Sequence, residues 1–144
     1  MLADPMLDAM GAIVLELRAD PDVAALVSTR VRGGEPAEGD AQGPGEYKAF
    51  VVVVTLDAPP HPSLPIFRGV YGVNCYGVTY QNASAVWGAV VKAMHLVRHR
   101  VKANGLGIYI SVAETGGEQD KDPDTDQPVV RGTIRLTATA QAVA

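Results

Sequence analysis

Between Pro65 and Asn104 the chain passes, with no linker, from an extended run, IFRGVYGVNCYGVTY, into a helix-forming run, NASAVWGAVVKAMHLVRHRVKAN. A long strand that turns straight into a helix lays that helix back across the sheet it has just left, so this pair constrains much of a single core. From Ile66 to about Thr79 the two-residue period puts Phe67, Tyr71, Val73 and Cys75 on one face and Arg68, Val70, Asn74, Tyr76 and Val78 on the other. Gly69, Gly72 and Gly77 interrupt the run and predict bulges or coiling. The helix, capped at Asn82 or its neighbour, aligns Val86, Val90, Ala93, Val97 and Val101 as a buried stripe and stops at Asn104-Gly105. Trp87 and Val91 stand just outside the stripe. They are a candidate subunit contact, or an edge that the chain itself covers.

Upstream, Asp4-Pro5 and Asp20-Pro21 are both helix starts, an N-cap aspartate followed by proline at the first helical position. The first predicts an amphipathic helix to about Arg18, with Met6, Met10, Ile13, Val14 and Leu17 on the buried face and Asp8, Ala12 and Glu16 opposite. The second opens a short helix to about Val27, and a brief extended segment follows. Residues 33–47 hold five glycines and two prolines and no aliphatic side chain larger than alanine, which predicts a mobile loop. Lys48 to Leu56, KAFVVVVTL, reads as a central strand covered on both faces. Four prolines between Asp57 and Pro65 make a stiff connector. Leu106 to Ala113 alternates as a half-buried strand, residues 114–127 read as a second mobile polar loop, and a final strand turns Val130, Ile134, Leu136 and Ala138 inward and Arg131, Thr133, Arg135, Thr137 and Thr139 outward.

The order α-α-β-β-α-β-β lacks a repeated βαβ rhythm. It predicts one α+β domain over residues 1–144, with a mainly antiparallel sheet of four or five strands and two main helices on one face. The length of 144 residues suits one core, and a 47% hydrophobic, 19% charged composition is that of a globular chain. A formal net charge of -4 gives no global pull toward nucleic acid or anionic membrane. No apolar run approaches the roughly 18 to 20 residues of a membrane span, and no basic, apolar leader opens the chain, so a reducing cytosol is the expected place of synthesis.

Candidate chemistry is thin. Asp120, Asp122, Asp124 and Asp126 alternate as in a calcium loop, but Gln127 falls where the sharp-turn glycine belongs and Thr133 where the bidentate glutamate belongs, so they read as a solvated acidic loop. His95 and His99 share metal-ligand spacing on the predicted helix without a third ligand and read as surface histidines. Cys75, on the apolar side of a strand, reads as a small core residue. Ser63, Ser84 and Ser111 sit in no nucleophile turn. Lys92, Arg98, Arg100 and Lys102, with Arg131 and Arg135, could form a basic surface for phosphate, or compensate the helix dipole. The residues thus predict no enzyme, no cofactor and no metal.

Four features together resemble the tail-terminator, or tail-completion, family of long-tailed bacteriophages. They are the run Val14 to Val31, the Gly/Pro-rich loop leading into Phe50-Val-Val-Val-Val54, the strand Arg68 to Tyr80 before an alanine-rich helix, and a last strand centred on Arg131-Gly132. The resemblance implies a non-enzymatic α+β virion subunit, assembled in the host cytoplasm, that forms a hexameric ring at the head-proximal end of the tail. There it stops tube polymerisation and meets a head-side connector or stopper protein. Its partners would be copies of itself, the tail tube protein and that connector, and DNA would pass through without sequence-specific binding. On this reading the loops at 33–47 and 114–127 contact neighbours or tube, Trp87, Val91, Arg131 and Arg135 are candidate interface residues, and Asp120, Asp122, Asp124 and Asp126 are a candidate acidic lumen or docking loop. The proline connector and the acidic loop have no match in the family pattern. Alternatives are another head-tail connector or minor tail subunit, a small cytoplasmic ligand-binding domain, and a nucleic-acid module using the basic helix end.

Overall fold

Asp20 acts as the cap its sequence predicts. In a computed structural model, which describes residues 5–57, 66–95, 97–101 and 107–139, its Oδ1 accepts from the N–H groups of Asp22 and Val23 at 2.9 and 3.0 Å. The short helix α2 (Pro21–Val27) begins there. It follows α1 (Pro5–Ala19), whose start at Pro5 also agrees with the sequence; the proposed cap Asp4, the connector 58–65 and the stop at Asn104-Gly105 lie outside the described residues. The face of α1 is wider than its pattern implied. Ala12 and Glu16 are buried along with Ile13, Val14 and Leu17, because α1 is hemmed in by β1 and β2 on one side and by both other helices.

Six strands form one sheet: β1 (Val31–Gly33), β2 (Phe50–Asp57), β3 (Ile66–Tyr76), β4 (Val97–Val101), β5 (Gly107–Lys121) and β6 (Pro128–Thr139), in the order β1-β2-β3-β6-β5-β4. Among the described residues only β1 with β2 is parallel. The α+β class and mainly antiparallel sheet are therefore as predicted, with β1 and β4 taking the strand count past four or five. The strand KAFVVVVTL sits one place from the edge rather than at the centre. Val51 to Val53 are covered on both faces, whereas Thr55, Leu56 and Asp57, beyond the end of β1, are exposed.

The long helix was over-extended in the sequence reading. Helix α3 (Tyr80–Met94) is capped by Thr79, whose side chain accepts from Asn82 N–H, and it ends where His95 turns extended at φ -74°, ψ 125°. Val97-Arg98-His99-Arg100-Val101 alternates with period two as well as it fits a helix, and pairing from Val97↔Ser111 to Val101↔Gly107 makes it edge strand β4. His95 and His99 therefore do not share a helix face, and Arg98 and Arg100 are not at a helix end. The predicted loop 114–127 is likewise mostly strand. β5 continues to Lys121, register shifts between Ala113 and Glu118 absorb Gly116 and Gly117 as bulges, and only residues 122–127 remain as the turn into β6.

All three helices pack on one face of the sheet. Ile13, Leu17, Val23, Val27, Val86, Val90 and Met94 meet Val31, Val51, Val53, Tyr71, Val73, Cys75, Ile134 and Leu136 in one buried cluster. The inward sets predicted for β3 and β6 are the observed ones among the described side chains. The second cluster, on the other face, is small: Phe50, Val52, Tyr76 and Val129, with Val54 at its edge and no helix residue in it. Phe50 and Tyr76 stack at a centroid distance of 4.3 Å and 7° between planes.

Candidate functional site

Away from that aromatic pair, the face without helices is open. β2 contributes Val54 and Leu56, β3 Gly72 and Asn74, and β6 Arg131 and Thr133, around a shallow depression of about 410 Å³. Gly72 makes it a depression: a Cβ there would stand 2.9 Å from Val54 Cγ2 and touch Leu56. Leu56 is 57% exposed, one of two large apolar side chains this accessible among the described residues. Farther along the same strands Asp57, Arg68, Val70 and Arg135 line a second hollow of about 250 Å³.

The four candidate interface residues divide between the faces. Arg131 and Arg135 lie on the open face, and Arg131 Nη1 donates to Asp120 Oδ2 at 3.0 Å. Trp87 lies on the helix side, its indole pressed against the backbone of Gly116 and Gly132, where any Cβ would come within 2.1 and 2.2 Å of the ring. Val91 is half-buried on the same helix. These two glycines on β5 and β6 are the slot that admits a tryptophan between helix and sheet.

The acidic residues form no metal cage. Asp122 Oδ1 accepts from Asp124 and Thr125 N–H at 2.8 and 3.0 Å, an Asx turn that leads β5 into β6. Asp120 faces Arg131, and Asp126, held at φ +62°, is 3.8 Å from Lys121 Nζ. Among the described residues no three His, Cys, Asp or Glu side chains are grouped to hold a metal ion. Asp124 and Asp126 are exposed at the tip of the β5–β6 hairpin, and Asp122 is half-buried beneath them.

Two residues, Tyr47 and Gln127, tie this tip to the first loop and the start of β2, and a third, Asp40, holds the first loop to β1. Tyr47 Oη donates to Thr125 O at 2.7 Å, and fully buried Gln127 donates through Nε2 to Lys48 O at 2.8 Å and Gly77 O at 3.2 Å. Asp40, buried in the first loop, accepts from Arg32 Nε at 3.0 Å and Ala37 N–H at 2.9 Å. The only signal for Asp40 was an aspartate among glycines, which marks a turn. Gln127 carried none.

The Cys75 thiol is fully buried, and burial pushes its pKa well up, the opposite of an activated nucleophile. Burial also raises the Tyr71 and Tyr76 phenols; for Tyr76 the nearby Asp122 adds to the effect and Arg131 opposes it. His95 Nδ1 accepts from Ala113 N–H at 3.3 Å, which places it at the α3–β5 junction.

The fold has known counterparts. Over 90% of its length the chain matches 93% of a chain from the virion of a native gene transfer agent particle, with a TM-score of 0.68 at 17% identity. A second solved chain matches 94% of this one over 96% of its own length, with a TM-score of 0.56 at 12% identity. No protein-family description and no curated protein matches the sequence. At these identities what is shared is the fold, carried from end to end rather than over a fragment. No helix among the described residues is long and apolar enough to cross a membrane.

Proposed function

We propose that this chain is a structural protein of a phage-like virion and, within it, the terminator of a tail tube. Subunits close into a ring, a hexamer by the family resemblance, at the head-proximal end of the tube. The ring stops tube growth and gives the head-side connector a surface to bind, while DNA passes through without sequence-specific contact. The observation that carries this reading is the end-to-end match to a gene transfer agent virion chain. It agrees with a resemblance drawn independently from sequence order. The site geometry supports it too: the molecule has a shallow, polar-rimmed open face and a braced hairpin tip, and a binding surface of this kind suits contact with other subunits better than capture of a small ligand in an enclosed pocket.

Of the candidate contact residues, Arg131 and Arg135 stay with the subunit contact, and Trp87 serves the subunit's own packing. The test is to add purified protein to growing tail tubes that lack their terminator, then measure tube length and image the ends. Capped tubes of uniform length, with a ring at one end, support the reading. Tubes that keep lengthening with the protein unbound would refute it.

A further inference from the structure

An edge strand offers alternate N–H and C=O groups to any strand that can reach it. At the first edge of this sheet, β1 is plugged. Val31 N–H donates to Thr29 O at 2.9 Å, and Val31 O accepts from Arg18 Nε and Nη2 at 3.0 and 2.6 Å. β1 ends at Gly33, and Gly34, at φ +87°, turns the chain away after its N–H has bonded Val53 O at 2.8 Å. β2 then runs on without a neighbour on that side, as Val54, Thr55, Leu56 and Asp57. Val51 N–H bonds Arg30 O, and Val53 O receives Gly34 N–H, so by the two-residue period Thr55 turns its own N–H and C=O to the same side. No described strand lies there. Leu56, exposed, stands beside Gly72 on the open face, and Met10 Sδ lies 4.0 Å from Thr55 Oγ1 on the helix side. An unplugged stretch of edge flanked by apolar side chains suits strand addition, in which backbone bonds give affinity and flanking side chains give specificity.

We propose that the Thr55–Asp57 overhang of one copy receives edge strand β4 of the next, so that two sheets join into one across the subunit boundary. This rests on the ring reading above and assigns the two halves of its contact. A head-to-tail contact between identical chains joins two different patches. Among the described residues β4 pairs with β5 alone, so the overhang and β4 are the two open edges, at opposite ends of the order β1-β2-β3-β6-β5-β4. With β3, β6 and β5 between them they stand roughly 19 Å apart at about 4.8 Å per strand, and no copy can pair its own two edges. β4, Val97–Val101, is long enough to cover the overhang, and the seam shelters Leu56 from water. Pairing overhang on overhang would instead close at a two-fold dimer and leave β4 unused.

The experiment combines sedimentation velocity with oxidative cross-linking of the full chain. Thr55→Pro removes the outward N–H and spares the ladder with β3, since proline is accepted where an edge N–H faces away from its neighbour; Thr55→Val keeps the N–H. The wild type and T55V are expected to associate alike, and T55P at least about tenfold more weakly, the cost of a lost backbone bond. For cross-linking, T55C is mixed with H99C or with R100C, successive residues of β4, so that one of the two shares the strand face of Thr55. Opposed Cβ atoms about 5 Å apart in neighbouring strands come within reach of a disulfide, and the buried Cys75 takes no part. Covalent dimers are expected from one of the two mixtures and from no variant alone. A wild type monomeric at every concentration, a T55P that associates like the wild type, or mixtures without dimers would each overturn the contact. So would dimers from T55C alone, which mark a two-fold pairing of overhangs. If T55P fails to fold, the cross-linking decides. Tube capping is scored in parallel. A T55P that caps tubes as the wild type does removes the contact and leaves the virion reading standing, whereas mixed dimers without any capping by the wild type uphold the contact and remove the terminator role.

Discussion

The two faces of the sheet differ in kind. Beneath the helices Val51, Val53, Tyr71, Val73, Cys75, Ile134 and Leu136 are buried in one hydrophobic cluster, and the bulky Trp87 has a slot made for it by Gly116 and Gly132. On the other side, burial stops at Phe50, Val52, Tyr76 and Val129, and the strands then run on as Val54, Leu56, Asn74, Arg131 and Thr133 around an open depression. Stability resides on the first face, where a lost methyl group leaves a cavity. On the proposed reading, recognition falls to the exposed part of the second, where side chains can change with little consequence for the fold.

The sharpest way to break this contrast is at the tryptophan slot. Gly132→Val puts a Cβ where the Trp87 ring already lies, and overpacking of this kind should cost about 3 kcal/mol, by chemical denaturation, unless the helix lifts off. Trp87→Leu in that background should recover part of the loss; no recovery would mean that the slot is not the cause. Next in size, Gln127→Ala takes the donor from the Lys48 and Gly77 carbonyls. A loss of about 1 to 3 kcal/mol is expected, measured the same way. Leu56→Ser, on the open face, should change stability by no more than about 0.5 kcal/mol while weakening self-association. A large loss of stability would mean that Leu56 belongs to a core.

The smallest effect is a titration. Because burial raises the Tyr71 and Tyr76 pKa values, the fold holds those protons more tightly than the unfolded chain does. Their contribution is fully present below the ordinary tyrosine pKa near 10 and is lost as pH climbs through the raised values. A denaturation midpoint that falls above pH 10, and falls less in Tyr76→Phe, is the expected result. Over the same range Cys75 should stay closed to alkylating reagents until the chain unfolds.

What could be read from the sequence follows the same division. The inward sets of β3 and β6, the cap at Asp20 and the α+β class were legible because a buried face enforces a period. Val97 to Val101 misled because two valines four residues apart, with Arg-His-Arg between them, share a face in a strand as readily as on a helix margin, and only pairing with Gly107–Ser111 decides between them. Residues 114–121 misled for a different reason. Glycine and acidic residues disfavour a strand locally, but β6 supplies the ladder and Arg131 meets Asp120, so tertiary context overrode propensity. The open face was the least legible, since neither the absence of a helix above Leu56 nor the brace between Tyr47 and Thr125, 78 residues apart, leaves a mark on local pattern.

Hydrogen exchange, compared between the free chain and the chain assembled on tube ends, tests most directly whether the open face and hairpin tip make contact with other subunits. Slowed exchange in the turn 122–126 and at the exposed end of β2, Thr55 to Asp57, with the outer surfaces of α1 to α3 unchanged, is the predicted result. Slowing confined to the helices, with the turn and the β2 end exchanging as they do in the free chain, would contradict it.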